Sequence, residues 1–145
     1  MKKTLLTIFT IVIIVVTIIC VNYHSYQIEY KGIVKENEEF AQYKDKEIYG
    51  IELGTLINKA IDKNVKNKVE KDGKNFFIPN DANSIEIEIY IVDSEQTYKM
   101  EAFYNTGLEQ FIQYYGDINF KCSKIEYHNK TKRIKYLLFE QIVTS

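Results

Sequence analysis

Between Lys3 and Glu29 the chain carries no formally charged side chain, and within that stretch Leu5 to Val21 reads LLTIFTIVIIVVTIICV. Nothing else in the sequence constrains the fold as much. At a rise of ~1.5 Å per residue, a helix over the uncharged run covers roughly 37 Å, against roughly 30 Å of bilayer hydrocarbon. The β-branched residues favour strands in isolation. A lone strand in lipid leaves its backbone groups unpaired, however, so a helix is the single-segment solution.

A cleaved secretory signal has a basic start, an apolar region of about 7 to 15 residues, and small residues around the cut. Lys2 and Lys3 supply the start, but the apolar run overshoots. Its exit, from Ile18 through Cys20 and Asn22 to Tyr26, holds no correctly spaced pair of small residues. A lipoprotein cut before Cys20 wants a small residue where Ile19 stands. The pattern therefore predicts an uncleaved signal anchor. Basic residues beside a span stay cytoplasmic, so Lys2 and Lys3 predict a single pass through the cell membrane, with the N-terminus cytoplasmic and the C-terminal domain extracytoplasmic. Tyr23, Tyr26 and Tyr30 follow at helical spacing, where amphipathic rings suit the headgroup region, and are the candidate membrane-interface residues.

Setting the span aside leaves enough chain for one domain and too little for two. Once Lys2 and Lys3 are taken from the 19 basic residues, the remaining 17 face 20 acidic ones. That balance argues against nucleic acid as a partner. Arg133 is the only Arg, and abundant Lys, Ile and Asn fit an AT-rich genome. Cys20 lies in the span and Cys122 in the body, so no internal disulfide is expected and Cys122 reads as a small core residue.

Residues 31–48 mix scattered apolar positions with many charges and read as a juxtamembrane stalk, helical to about Phe40 and turning at Lys44 to Glu47. Beyond it, Leu53, Leu56, Ile57, Ala60 and Ile61 share one helical face, with Gly54 permitting close packing and Asn64 as a left-handed stop. Asp72-Gly73 and Pro79-Asn80-Asp81 read as turns around a short edge strand at Phe76 to Ile78. SIEIEIYIV alternates strictly, with Ile85, Ile87, Ile89 and Ile91 on one side. TYKMEAFY alternates too, so the pair predicts a hairpin across Asp93 to Gln96, with Lys99 and Glu101 beside Glu86 and Glu88. Thr106-Gly107-Leu108-Glu109 matches a capping box before the stripe Leu108, Phe111, Ile112, Tyr115. NFKCSKIEYH and KRIKYLLFEQIV predict a last hairpin, with a bulge between Cys122 and Ile125. The fold expected is α+β: an anchor helix over 1–30, the stalk over 31–48, and over 49–145 two helices packed on an antiparallel sheet of about four strands.

The chain holds no glycine-rich phosphate loop, HExxH, paired CxxC or EF-hand pattern. Of its two histidines, His24 lies beside the membrane and His128 reads as a solvated turn residue. Glu36, Glu38 and Glu39 read as a solvated charge run, because nothing enforces the convergent oxygens that Ca²⁺ needs. Asn129-Lys130-Thr131 has the form of a glycosylation sequon and nothing more. No catalytic residue, metal or cofactor is expected.

The stretches IYGIELGTLINKAIDKN, FKCSKIEYH and YLLFEQI resemble small uncharacterised membrane-anchored proteins of low-GC Gram-positive bacteria. The resemblance covers most of the chain and implies no known activity. A spanning helix followed by an antiparallel sheet is also pilin-like in order, but the prepilin motif is absent: no Gly precedes the apolar run as a cleavage site, and no Glu stands at its fifth position. The function expected is a noncatalytic module that presents a surface to another envelope protein, to a cell-wall component, or to a pilus-like assembly. The alternative is a small extracytoplasmic sensor or ligand-binding domain with Tyr104, Tyr114 or Tyr115 lining a pocket.

Overall fold

The structure, a computed structural model, describes residues 1–143 and divides into two compact units, Met1–Lys35 and Glu36–Ser145. The division falls inside helix α1 (Lys2–Ala41). Its most apolar 18-residue window has a mean hydropathy of 3.0 and none of it is buried, so this is a helix long and apolar enough to cross a membrane. Its threonines are compatible with lipid. Thr7, Thr10 and Thr17 each donate to the carbonyl four residues earlier, at 3.0, 2.9 and 2.8 Å, so their hydroxyl protons are satisfied without water.

The second unit is α+β. After the last turns of α1 come β1 (Glu47–Tyr49), α2 (Gly50–Lys66), β2 (Glu86–Ile91), β3 (Gln96–Lys99), α3 (Met100–Thr106), α4 (Leu108–Tyr115), β4 (Asn119–Tyr127) and β5 (Ile134–Gln141). The class is the one expected, but the sheet differs in two ways. It has five strands, with β1 added at an edge, and it is mixed, in the order β1-β4-β5-β2-β3. The hairpins β2–β3 and β4–β5 are both antiparallel as predicted. The helical link α3–α4 returns the second hairpin so that β5 runs parallel to β2, with Ile87 opposite Leu137 and Ile89 opposite Phe139. The expected bulge is present as a register shift between Cys122 and Lys124.

The core forms where the predicted stripes meet. Leu53, Leu56, Ile57, Ala60 and Ile61 of α2 are buried, as are Ile85 just before β2, Ile87, Ile89 and Ile91 along it, and Phe111 of α4. The rings of Phe103, Phe111, Tyr115 and Phe120 pack at centroid distances of 4.8 to 6.5 Å. Gly54 lets α2 approach α4: a Cβ there would stand 3.2 Å from Ile112 Cγ1.

Several local expectations fail for identifiable reasons. The strand predicted over TYKMEAFY ends at Lys99, and α3 takes over. Alternation over so few positions also fits a helical turn, and burial of Met100 together with the packing of Phe103 three residues on favours the helix. Glu101 is therefore not on the wet sheet face. It is buried, and Phe77 N–H donates to its Oε1 at 3.3 Å. Lys99 does lie opposite Glu88, with its Nζ 3.6 Å from Glu86. The capping box does not form, because Thr106 is the last residue of α3 and its hydroxyl donates back to Ala102 and Phe103 carbonyls. Gly107, at φ 102, makes the break between the two helices. Phe76 to Ile78 contributes one bridge, Lys71 to Phe77, instead of a strand.

Asn64 is not a helix stop, since α2 runs on to Lys66 and the left-handed residue is Lys68 at φ 55. Asn64 is buried, and its amide acts as a piece of strand backbone: Nδ2 donates to Ile85 O and Oδ1 accepts from Ile85 N–H, both at 2.8 Å. Asn37 does the same at the other strand of the parallel pair. Its Nδ2 donates to Lys132 O at 2.8 Å and its Oδ1 accepts from Ile134 N–H at 2.9 Å. No tight turn joins β2 to β5, and these two amides satisfy the backbone at both strand starts.

Candidate functional site

Tyr23, Tyr26 and Tyr30 are exposed on α1. The rings of Tyr26 and Tyr30 stack with centroids 6.3 Å apart, and Gln27 Nε2 donates to Tyr23 OH at 3.0 Å. Their spacing lays ring on ring along the helix, as i and i+4 positions do.

The predicted stalk contains the start of the folded unit. Phe40 is wholly buried, and Glu36, expected as part of a solvated charge run, is only 7% exposed. Arg133 Nη1 donates to Glu36 Oε2 at 2.8 Å, with Lys63 Nζ at 3.8 Å. Lys59 and Lys63 reach Glu39 at 3.3 and 3.9 Å. These carboxylates are neutralised by the protein's own cations, and no group of His, Cys, Asp and Glu able to hold a metal occurs among the described residues. Sequence reasoning missed this cluster. Its signal was a helical stripe, Glu36, Asn37, Phe40 and Ala41, together with a lone Arg in a lysine-rich chain.

The turn from His128 to Arg133 closes the β4–β5 hairpin: His128 N–H donates to Arg133 O at 2.8 Å and Lys132 N–H to His128 O at 3.0 Å, with Lys132 at φ 59. His128, expected in solvent, is 3% exposed. Its Nε2 lies 2.8 Å from Ser84 O, an acceptor, so the ring proton sits on Nε2. Thr131 Oγ1 donates to Ala82 O at 2.6 Å. The bonds from His128, Thr131 and Asn37 tie the tip to residues 82–84 and to the last turns of α1. Beside the tip is a polar hollow of about 280 Å³ lined by Asp81, Glu126, His128, Asn129, Lys130 and Lys135, among others. Lys124 Nζ, 2.6 Å from Glu126, holds that carboxyl below the usual range.

Tyr104, Tyr114 and Tyr115, the candidates for a binding pocket, do not line this hollow. Tyr114 is 72% exposed, Tyr104 is also exposed, and Tyr115 packs on Phe103, Phe111 and Phe120. Cys122 is buried as expected, and burial pushes its thiol up to about 11, which makes it a poor nucleophile near neutrality. Tyr136 donates to Glu88 at 2.7 Å, and both burial and that carboxylate raise its phenol. No protein-family model, curated protein or solved structure matches the chain.

Proposed function

We propose that this is a single-pass membrane protein whose N-terminal helix is an uncleaved anchor and whose α+β domain is an extracytoplasmic, noncatalytic interaction or assembly module. One observation carries the reading. An apolar helix with nothing packed over its most apolar window stands in the same chain as a unit that has its own core. The orientation rests on Lys2 and Lys3, which favour the cytoplasmic side, with Tyr23, Tyr26 and Tyr30 at the opposite interface. The noncatalytic part is supported by the partners of the buried polar groups: Arg133 holds Glu36 through Oε2, leaving its Oε1 without a partner, Phe77 N–H holds Glu101, and Ser84 O holds His128. Partners of this domain are another envelope protein or a cell-wall component, and pilin-like assembly in a low-GC Gram-positive envelope is the finer form of the same idea.

Protease added outside intact cells tests the topology: it should digest the body and leave an N-terminal fragment in carbonate-washed membranes. A mature N-terminus beyond Val21 overturns the anchor. Crosslinking in native cells tests the module, and failure to capture any consistent envelope neighbour overturns that half.

A further inference from the structure

We propose that the β4–β5 tip is a docking surface for anionic phospholipid headgroups of the membrane that the N-terminal helix enters, an inference that rests on the anchor reading above. Charge is the first reason. Between Tyr127 and Ile134 there is no acidic residue, while Lys130 and Lys132 are exposed. Among the described residues neither these two nor Lys135 makes an ion pair, whereas Lys124 and Arg133 are engaged by Glu126 and Glu36. The tip therefore carries unmatched positive charge.

Position is the second reason. The tip is bonded to the first residues of the folded unit, Glu36 through Arg133 and Asn37 through Lys132 O and Ile134 N–H. Glu36 follows Tyr30, the last interface tyrosine, by six residues. Such a connection spans at most roughly 20 Å even when fully extended. An anionic surface attracts exposed lysines tethered this closely once they come within about a Debye length.

Shape is the third reason. Lys130 and Lys135 line the hollow, where their ammonium groups suit a phosphate, and the Asp81 carboxylate on the same hollow suits a headgroup hydroxyl or ammonium. His128 and Thr131 are already bonded to Ser84 and Ala82, so the turn is held in place before a headgroup arrives.

The test uses the full chain with Asn129→Cys carrying an environment-sensitive fluorophore. Cys122 is buried and Cys20 lies in the apolar run, so the new thiol is the reactive one. The protein is reconstituted in phosphatidylcholine vesicles or in an equal mixture with phosphatidylglycerol, and an aqueous quencher is added. The label should be shielded in the anionic vesicles and not in phosphatidylcholine, and high salt should abolish the shielding. Each lysine near such a surface contributes roughly five-fold, so the combined Lys130→Gln, Lys132→Gln, Lys135→Gln variant should lower the docked-to-free ratio on the order of a hundred-fold. The corresponding Lys→Arg variant should keep the shielding. Equal quenching in both lipids, or shielding that survives the glutamine variant, overturns the proposal. Displacement by soluble glycerol phosphate at constant ionic strength assigns the site to a soluble phosphate and overturns the lipid. Carbonate washing separates the two readings. A chain that washes off the vesicles defeats the anchor and the docking together, and a chain that stays with an unshielded label defeats the docking alone.

Discussion

Ile14 and Phe40 belong to one helix and meet opposite surroundings. Ile14 is 52% exposed in Met1–Lys35, and Phe40 is fully buried in Glu36–Ser145. Around Ile14 the apolar side chains cover every side of the helix, whereas in α2 most of them, Leu53, Leu56, Ile57, Ala60 and Ile61, form one buried stripe, and only Ile51 and Val65 stand exposed outside it. A one-sided stripe can be buried by a single packed layer. An all-round apolar coat cannot, and it calls for an apolar solvent. Apolar content alone therefore does not decide burial, and the period of the apolar positions does.

The largest effect expected from this difference comes from truncating an apolar side chain in each region. Phe40→Ala should cost about 3 to 5 kcal/mol, because a buried ring leaves a cavity that its neighbours fill only in part. Ile14→Ala should leave unfolding of the body unchanged. Chemical denaturation of the full chain in detergent, followed by near-ultraviolet circular dichroism, gives both values. Equal costs would mean that the last turns of α1 are not part of the core.

The converse substitution acts on the first region alone. Ile14→Lys should weaken insertion by about 2.5 to 3.5 kcal/mol, the cost of a charge at the centre of a span. The unfolding midpoint of the body should not move. Membrane fractionation of the variant measures the first quantity, and a helix that inserts equally well with lysine would not be a span.

A matched pair of asparagines sharpens the comparison further. Asn22 Nδ2 donates to Ile18 O on an exposed helix, while Asn64 holds both backbone groups of Ile85 in the interior. Leaving a buried polar group unpaired costs about 1 to 3 kcal/mol each. Asn64→Ala leaves two such groups and should therefore cost at least about 2 kcal/mol, and Asn22→Ala close to nothing. Similar values for the two would remove Asn64 as the residue that satisfies the start of β2.

What could be read from the sequence follows the same division. The α2 stripe, the alternation of β2, both hairpins and the bulge after Cys122 are local patterns with one physical reading each. The parallel pairing of β2 with β5 is not local, because no turn residue encodes it and, of the two amides that satisfy the strand starts, Asn64 reads as a helix stop and Asn37 as one more polar residue of the stalk. His128 reads as a solvated turn residue for a related reason. Its neighbours Asn129 and Lys130 are exposed turn residues, and the carbonyl that buries it belongs to Ser84, far away in the chain. Glu36 reads as one of three solvated glutamates until Arg133 is seen against it.

The smallest expected effect concerns two carboxylates inside the folded unit. Glu101 is buried, and burial raises its pKa above the ordinary glutamate value. In the window between those two values the native state holds more protons than the unfolded chain, so stability falls as pH rises through it and stays lower above it. Asp72 works the other way. Phe76 and Lys74 N–H groups donate to its Oδ1 and lower its pKa, so its contribution is present above the ordinary aspartate value and is lost as pH falls through the lowered one. Glu101→Gln keeps an oxygen to accept from Phe77 N–H while removing the charge that burial disfavours. It should be slightly more stable than the parent at neutral pH and flatter in its pH profile above the glutamate range. Asp72→Asn should flatten only the acid limb. Unfolding midpoints measured across pH distinguish the two, and a Glu101→Gln profile that overlays the parent would show that this carboxylate is solvated, with α3 not closing over Phe77.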